Sequence, residues 1–314
     1  LRKRRNKLMI GNIHIIGAGA VGAAYGALLH DMDQRCVSFV ASGERRERLR
    51  KEGIVVNGKE YLIPVLDSGE IHPAAKLLLV AVKHYHLDQA IAEMKNSIGP
   101  ETIVMSLMNG IDSEERIGAV YGPEKLLYAL VIGIDALRQG NRVTYTNQGK
   151  IFFGEKKAGT PSHRVGRVGE LFDRAGINYV APEDIMRDIW WKFMINVGIN
   201  QASAVTGGNY GVFQQAGPER ELMDAAMGEV IALARKLGIP LDSDDVERWY
   251  AVLASLGPGG KTSMLQDVEA GRKTEVEMLS GVVMALGRKH GVAVPVNERL
   301  YRQISELEKK KGKR

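Results

Sequence analysis

Residues 12–22 read Asn12-Ile13-His14-Ile15-Ile16-Gly17-Ala18-Gly19-Ala20-Val21-Gly22. A short apolar run ends in the spacing G-x-G-x-x-G, and a helical pattern follows through Ala23, Ala27 and Leu28. Strand, glycine turn and helix in that order form the context in which the spacing has a physical meaning. Gly17 permits a tight turn, Gly19 lets the backbone come close to a pyrophosphate, and Gly22 lets the helix lie against the strand. Ala18, Ala20 and Val21 complete the turn, and the amides that open the helix offer themselves to an anion. The stretch therefore reads as the first turn of a dinucleotide-binding α/β domain. A glycine-rich turn without a ligand is the plainer alternative.

Working outward, CVSFVA (36–41) reads as a second strand, ERRERLRKEG (44–53) as a charged helix stopped by Gly53, LLLVAVK (77–83) as a third strand and TIVMSLMNG (102–110) as a fourth. Unbroken apolar strands alternating with helices indicate a parallel sheet covered on both faces. RVTYTNQGKIFFGE (142–155) alternates with period two and is broken at Asn147-Gln148-Gly149, which predicts a hairpin or edge pair. Residues 165–181 give one more helix and strand. After Pro182 the spacing is helical up to about Lys309, interrupted at Gly207-Gly208, Gly238-Ile239-Pro240 and Gly257-Pro258-Gly259-Gly260. The expected organisation is α/β: a Rossmann domain over 9–184, an all-helical domain over 185–309, and basic tails at 1–8 and 310–314.

Composition limits the functions available. Of 314 residues, 45% are hydrophobic and 25% charged, ordinary for a globular protein. The net charge of +6 is a property of the ends: residues 1–7 and 309–314 hold ten basic groups and no acids, so the rest carries −4. A basic face for nucleic acid is not supported. No apolar run approaches the length of a membrane span, and a cytoplasmic protein is expected. The single cysteine, Cys36, excludes an internal disulfide and reads as a buried thiol. His84-Tyr85-His86 has the wrong spacing for metal ligation from one helix face, so no metal is expected.

At the end of the second strand, an NAD-binding domain usually places a carboxylate for the ribose 2′-hydroxyl. Here the residues are Ala41-Ser42-Gly43-Glu44, followed by Arg45, Arg46 and Arg48. A serine donor and an arginine suit a 2′-phosphate, which favours NADPH, with Ser42 and Arg45 as its candidates. In the helical half, Lys192, Asn196 and Asn200 are spaced i, i+4, i+8 in the otherwise apolar WWKFMINVGIN (190–200). Members of such a row drift only about 40° apart, so they share one face. Either that face meets solvent or it is the polar floor of a cleft. A second constellation runs from Thr262-Ser263 to Thr274-Glu275. Ser263 is read there as either a helix N-cap or a ligand-binding hydroxyl.

With these residues in view, the chain resembles the ketopantoate reductase family from Ile13 to about Glu308. The signatures are GAGAVG (17–22), LVAVK (79–83), LMNG (107–110), and the pair WKFMINVGIN (191–200) and SMLQDVEAGRKTE (263–275). The resemblance implies a Rossmann domain with a helical domain of the 6-phosphogluconate dehydrogenase C-terminal type. It implies NADPH-dependent reduction of 2-dehydropantoate to (R)-pantoate, a step toward pantothenate and coenzyme A. A reductase of another branched 2-oxo acid and a non-catalytic NADPH sensor stay open. By the same resemblance, Lys192 is the general acid. Asn196, Asn200 and Asn209 hold the substrate, Ser263 its carboxylate, and Glu275 is shared by cofactor and substrate. Lys83 and Asn109 lie beside the nicotinamide and its ribose, Asn109 also toward the substrate, and Ala136 is a cofactor contact. One departure is that the family often has an arginine where this chain has Ala41-Ser42; Arg45 is the candidate to replace it. The implied partner is a small 2-oxo acid, without nucleic acid or membrane, and a homodimer stays open.

Overall fold

Ile13–Ile16 is a strand in which every residue is buried, including His14. The His14 ring lies 3.0 Å by Nδ1 from Ser97 Oγ, and burial, with His72 nearby, lowers its pKa to about 4, so it is held neutral. The strand pairs in parallel with Val37–Ala41 on one side and Leu77–Val80 on the other. These are central strands of an eight-stranded sheet. From one edge the order is Val65–Asp67, Val37–Ala41, Ile13–Ile16, Leu77–Val80, Ile103–Ser106, Leu126–Ile134, Gln148–Gly154 and Tyr179–Val180. The chain order reverses between Ile13–Ile16 and Leu77–Val80, and the glycine turn leaves the sheet at this switch point, where open α/β sheets place ligands. The computed structural model describes residues 10–311.

The charged helix is Gly43–Glu52, ended by Gly53 at φ 57°. The expected pairing within 142–155 is corrected. Arg142–Thr144 joins a separate four-stranded sheet, beside Leu137–Gln139 and Ile54–Val56, whereas Gln148–Gly154 pairs antiparallel with Leu126–Ile134 in the main sheet. Period two announces a strand but not its partner. Cys36 is buried, its thiol 3.4 Å from the Leu29 carbonyl oxygen and pushed up to about 11 by burial.

The chain divides into two units, one through Asn109 and from Ser113 to Met186, the other taking Gly110–Asp112 and the chain from Arg187 onward. The second unit is helical and is built around Pro218–Lys236, which buries Met223, Met227 and Val230. A Cβ on Gly198 would come 2.5 Å from Met227 Cγ, so only glycine allows that close helix packing. The last helix is Pro295–Lys311, so the backbone of residues 310 and 311 is helical and the expected start of the basic tail at 310 is corrected. The remainder of both basic runs, 1–8 and 312–314, lies outside the described residues. Among the described residues no helix is long and apolar enough to cross a membrane.

Candidate active site

In the first unit the three glycines of the turn have different reasons for being glycine. Gly17 has φ 102°, and a Cβ there would lie 2.5 Å from the Ala81 carbonyl oxygen. A Cβ on Gly22 would meet the Gly17 oxygen at 1.9 Å. Both are required by the fold. Gly19 is different: φ is −74°, and its nearest neighbour would be the Ala81 oxygen at 3.7 Å, an ordinary contact. Nothing in the protein demands glycine at that position, and a cradle for an anion accounts for it. Gly19 is also the N-cap of Ala20–Met32, with no side-chain cap and no acidic residue in the first turn, so its leading amides point where an anion would bind. These residues fit the pyrophosphate of a dinucleotide.

Lys83 and Asn109 follow the adjacent parallel strands Leu77–Val80 and Ile103–Ser106, and so lie at the same carboxyl edge of the sheet as the turn. Lys83 is exposed and Asn109 half-buried. Ala136, also half-buried, follows Leu126–Ile134, which runs parallel to Ile103–Ser106.

At the end of the second strand, Ser42 makes no cap. Its hydroxyl donates to Glu93 Oε1 at 2.8 Å, and Gln89 Nε2 donates to the same oxygen at 2.9 Å. The other Glu93 oxygen is buried without a hydrogen-bond partner. A carboxylate therefore stands beside Ser42, supplied from 51 residues away, and the serine proton is committed to it. Arg46 pairs with Glu47 and Asp67 at 2.8 and 3.5 Å. Arg45 and Arg48 form no ion pair among the described residues. A fourth arginine, which sequence reasoning missed, is Arg138. Its Nη1 donates to the Ala18 carbonyl inside the glycine turn, and its Nε donates to the Gly140 carbonyl at 2.8 Å. Burial, then the charges of Arg48 and Arg45, hold its pKa below the usual arginine value, so the three cations gather beside the turn. No sequence signal links Arg138 to Ala18 across 120 residues.

In the second unit the polar row is embedded in apolar packing. Trp191, Phe193, Met194, Ile195, Val197, Gly198 and Ile199 are buried, whereas Lys192, Asn196 and Asn200 are half-buried. The face is a polar strip with limited access to water rather than a solvated stripe. The helix Ile185–Ile195 passes directly into a π-helical turn, Asn196–Asn200. The wider turn reverses part of the α-helical drift and brings Asn200 back toward the line of Lys192. The Trp191 indole donates to the Asp245 carbonyl at 3.1 Å and fixes the helix about its axis. Burial lowers the Lys192 pKa to about 8, and the Glu275 carboxylate opposes that shift, which places the two charges near one another.

Ser263 is not the cap. Thr262 is the N-cap of Ser263–Glu269 and accepts from the Leu265 amide at 3.2 Å; its own hydroxyl donates to Ser203 Oγ, also at 3.2 Å. Ser263 is exposed at the first helical position, and the capping reading of it is corrected. Asn209 begins the short helix Tyr210–Gln214 without capping it. The amides of Tyr210 and Gly211 donate to the carbonyls of Gly260 and Pro258 at 2.9 and 2.8 Å, tying the Asn209 segment to the loop that leads to Ser263. His84 accepts from Arg116 Nη1 at 3.3 Å within a single 3-10 turn, and no cluster of metal-ligating side chains occurs among the described residues.

The family model described as ketopantoate reductase PanE/ApbA matches residues 13–158, and that of ketopantoate reductase PanE/ApbA C terminal matches residues 184–308. A 2-dehydropantoate 2-reductase of Archaeoglobus fulgidus is 30% identical over 302 residues, covering 96% of this chain and 99% of that protein. Among solved structures, the 2-dehydropantoate 2-reductase from Methylococcus capsulatus aligns with TM-score 0.82 and 28% identity over 96% of this chain and 97% of that one. A D-mandelate dehydrogenase with NADH and anilino(oxo)acetate aligns with TM-score 0.85 over 96% and 99%, at 21% identity, a likeness of fold alone.

Proposed function

Because the chain belongs to the ketopantoate reductase family, we propose that it reduces a small 2-oxo acid with NADPH, taking 2-dehydropantoate to pantoate. The observation that carries this reading is Lys192, a cation on an apolar helix with its pKa lowered to about 8, in line with two asparagines and near Glu275. Residues 9–184 hold the cofactor in this reading, and residues 185–309 hold the acid. When bound at the glycine turn, the dinucleotide supplies hydride for C2 of the substrate. Lys192 stabilises the charge that grows on the ketone oxygen and donates the proton. Ser263, free of a capping bond, donates to the substrate carboxylate. The amides of Asn196, Asn200 and Asn209 fix the substrate so that one face of C2 receives hydride. Glu275 keeps Lys192 charged and takes the substrate hydroxyl, away from the substrate carboxylate, which it would repel.

The test is loss of NADPH absorbance against a panel of branched 2-oxo acids that includes 2-dehydropantoate. Turnover with 2-dehydropantoate is expected. Turnover confined to other 2-oxo acids changes the substrate, and none with any of them leaves a dinucleotide-binding sensor.

NADPH is favoured by Arg45, Arg48 and Arg138 around the turn. Use of NADH is the second reading, favoured by the Glu93 carboxylate on Ser42. A charge-assisted hydrogen bond contributes roughly 1.5–3 kcal/mol, about 10- to 150-fold in affinity. Arg45→Ala, which removes no bond to the glycine turn, is therefore expected to cut kcat/KM for NADPH by that order and to leave NADH unmoved. A wild-type preference for NADH rejects the NADPH assignment.

A further inference from the structure

Two π-helical turns in the second unit, Asn196–Asn200 and Glu277–Gly281, each adjoin residues of the proposed oxo-acid site. The first contains Asn196 and Asn200 themselves. The second follows Glu275, whose carbonyl accepts from the amides of Met278 and Leu279 at 3.0 and 3.2 Å, and its widened bond runs from the Gly281 amide to the Val276 carbonyl at 3.1 Å. Such turns depart from the regular helix and need support from outside it. Here that support is a buried polar chain. Gln201, Ser280 and Asn297 are each fully buried. The Ser280 hydroxyl, inside the second turn, lies 2.6 Å from Gln201 Oε1 and 3.0 Å from Asn297 Oδ1, and donates its proton at the shorter distance to Gln201. Gln201, directly after the first turn, donates by Nε2 to the Val197 carbonyl within that turn at 2.8 Å and to Asn297 Oδ1 at 3.1 Å. Asn297 Nδ2 donates to Glu229 Oε2 at 2.7 Å.

The chain of bonds has one orientation. The Glu229 carboxylate, which also accepts from the amides of Val296 and Asn297 at 2.7 and 3.0 Å, is an acceptor only. The Asn297 amide must therefore turn its NH₂ to Glu229 and its oxygen to Gln201. Gln201 must then turn its oxygen to Ser280, and Ser280 must donate. Loss of Ser280 leaves the buried Gln201 Oε1 without its donor, and loss of Gln201 removes the bonds that reach the Val197 carbonyl of the first turn, so the two π turns are coupled through these side chains.

We propose that the Ser280–Gln201–Asn297 chain is a clamp that holds the two π turns in mutual register, with Gln201 and Ser280 as positioning residues for Asn196, Asn200 and Glu275. This rests on reading those three as the oxo-acid site. Two measurements on the full chain decide it. In the wild type, native-state hydrogen exchange with added urea should show residues 196–201 and 277–281 opening as one cooperative unit. Opening of one segment without the other overturns the clamp, and this arm needs no variant to fold and no substrate. In Ser280→Ala and Gln201→Met, the KM for the 2-oxo acid should rise about tenfold, with kcat changed less. An unchanged KM in a folded variant overturns the positioning role, as does a loss of kcat as large as the rise in KM. If the wild type reduces no 2-oxo acid, the site reading fails separately, and the exchange result still decides the clamp.

Discussion

At the scale of single residues, Lys192 carries the sharpest expectation. A lysine that acts as proton donor must be charged, and burial lowers its pKa from 10.5 to about 8. The kcat/KM for the 2-oxo acid should therefore be flat below that point and fall as pH rises through about 8, where an ordinary lysine would hold its proton. Glu275 raises the Lys192 pKa, so Glu275→Gln should move this limb to lower pH. A limb that stays in place in the variant separates Glu275 from the acid. Ser263 and Thr262 form a second pair. Thr262→Ala removes the cap on Ser263–Glu269 and should cost about 1 kcal/mol of stability. Ser263→Ala removes no internal bond, so the melting temperature should hold while KM for the oxo acid rises. The opposite pattern, early melting with normal KM for Ser263→Ala, would return Ser263 to the scaffold. The polar row was legible because three polar side chains in an apolar helix have a period. Which neighbour does the capping was not, because Thr and Ser are chemically equivalent caps and the choice turns on one residue of register. Arg138 and Glu93 were invisible because their partners, Ala18 and Ser42, are remote in sequence.

At the scale of elements, mainly apolar runs mark the strands at 13–16, 37–41, 77–80 and 103–106, in which every residue but Ser38 is buried, so little alternation shows. Leu126–Ile134, the longest strand among the described residues, is not legible as one, since a nine-residue apolar run without β-alternation also suits a buried helix. The four-stranded sheet was missed because its three-residue strands are too short to show any period. The π turns leave no pattern that hydrophobic periodicity detects. The glycine turn was read correctly as an element, and its three glycines now separate into two classes. Gly17→Ala forces a side chain to φ 102° against the Ala81 carbonyl, and Gly22→Ala meets the Gly17 oxygen; both variants should fold poorly. Gly19→Ala meets nothing closer than 3.7 Å, so the protein should melt near the wild-type temperature yet lose NADPH affinity. Thermal melts beside cofactor titration give the answer. A Gly19→Ala protein that binds NADPH normally would mean that the middle glycine is not a pyrophosphate contact.

At the scale of the whole molecule, the change from strand pattern to helix pattern after Pro182 was legible because it is a change of period sustained over more than a hundred residues, and the units part at Met186 and Arg187. The exception, Gly110–Asp112, groups with the helical unit although it directly follows Asn109. The candidate residues divide in the same way. The glycine turn, Ser42, Arg45, Lys83, Asn109 and Ala136 belong to the first unit, and Lys192, Asn196, Asn200, Asn209, Ser263 and Glu275 to the second. If each unit has its own task, cofactor affinity and proton transfer are separable by mutation. Lys192→Ala should bind NADPH within about twofold of the wild type, because no side chain of the cofactor's unit is altered. Its kcat should fall by roughly 10²–10⁴-fold, the usual contribution of a positioned general acid. Gly19→Ala should do the reverse, with weak NADPH binding and, at saturating cofactor, turnover nearer the wild type. Fluorescence titration of bound NADPH and steady-state kinetics on both variants measure the two tasks independently. A large loss of NADPH affinity in Lys192→Ala would place the lysine against the cofactor, and near-normal kcat would remove it as the acid. Either result dissolves the division of labour and sends the search for the proton donor elsewhere in the helical unit.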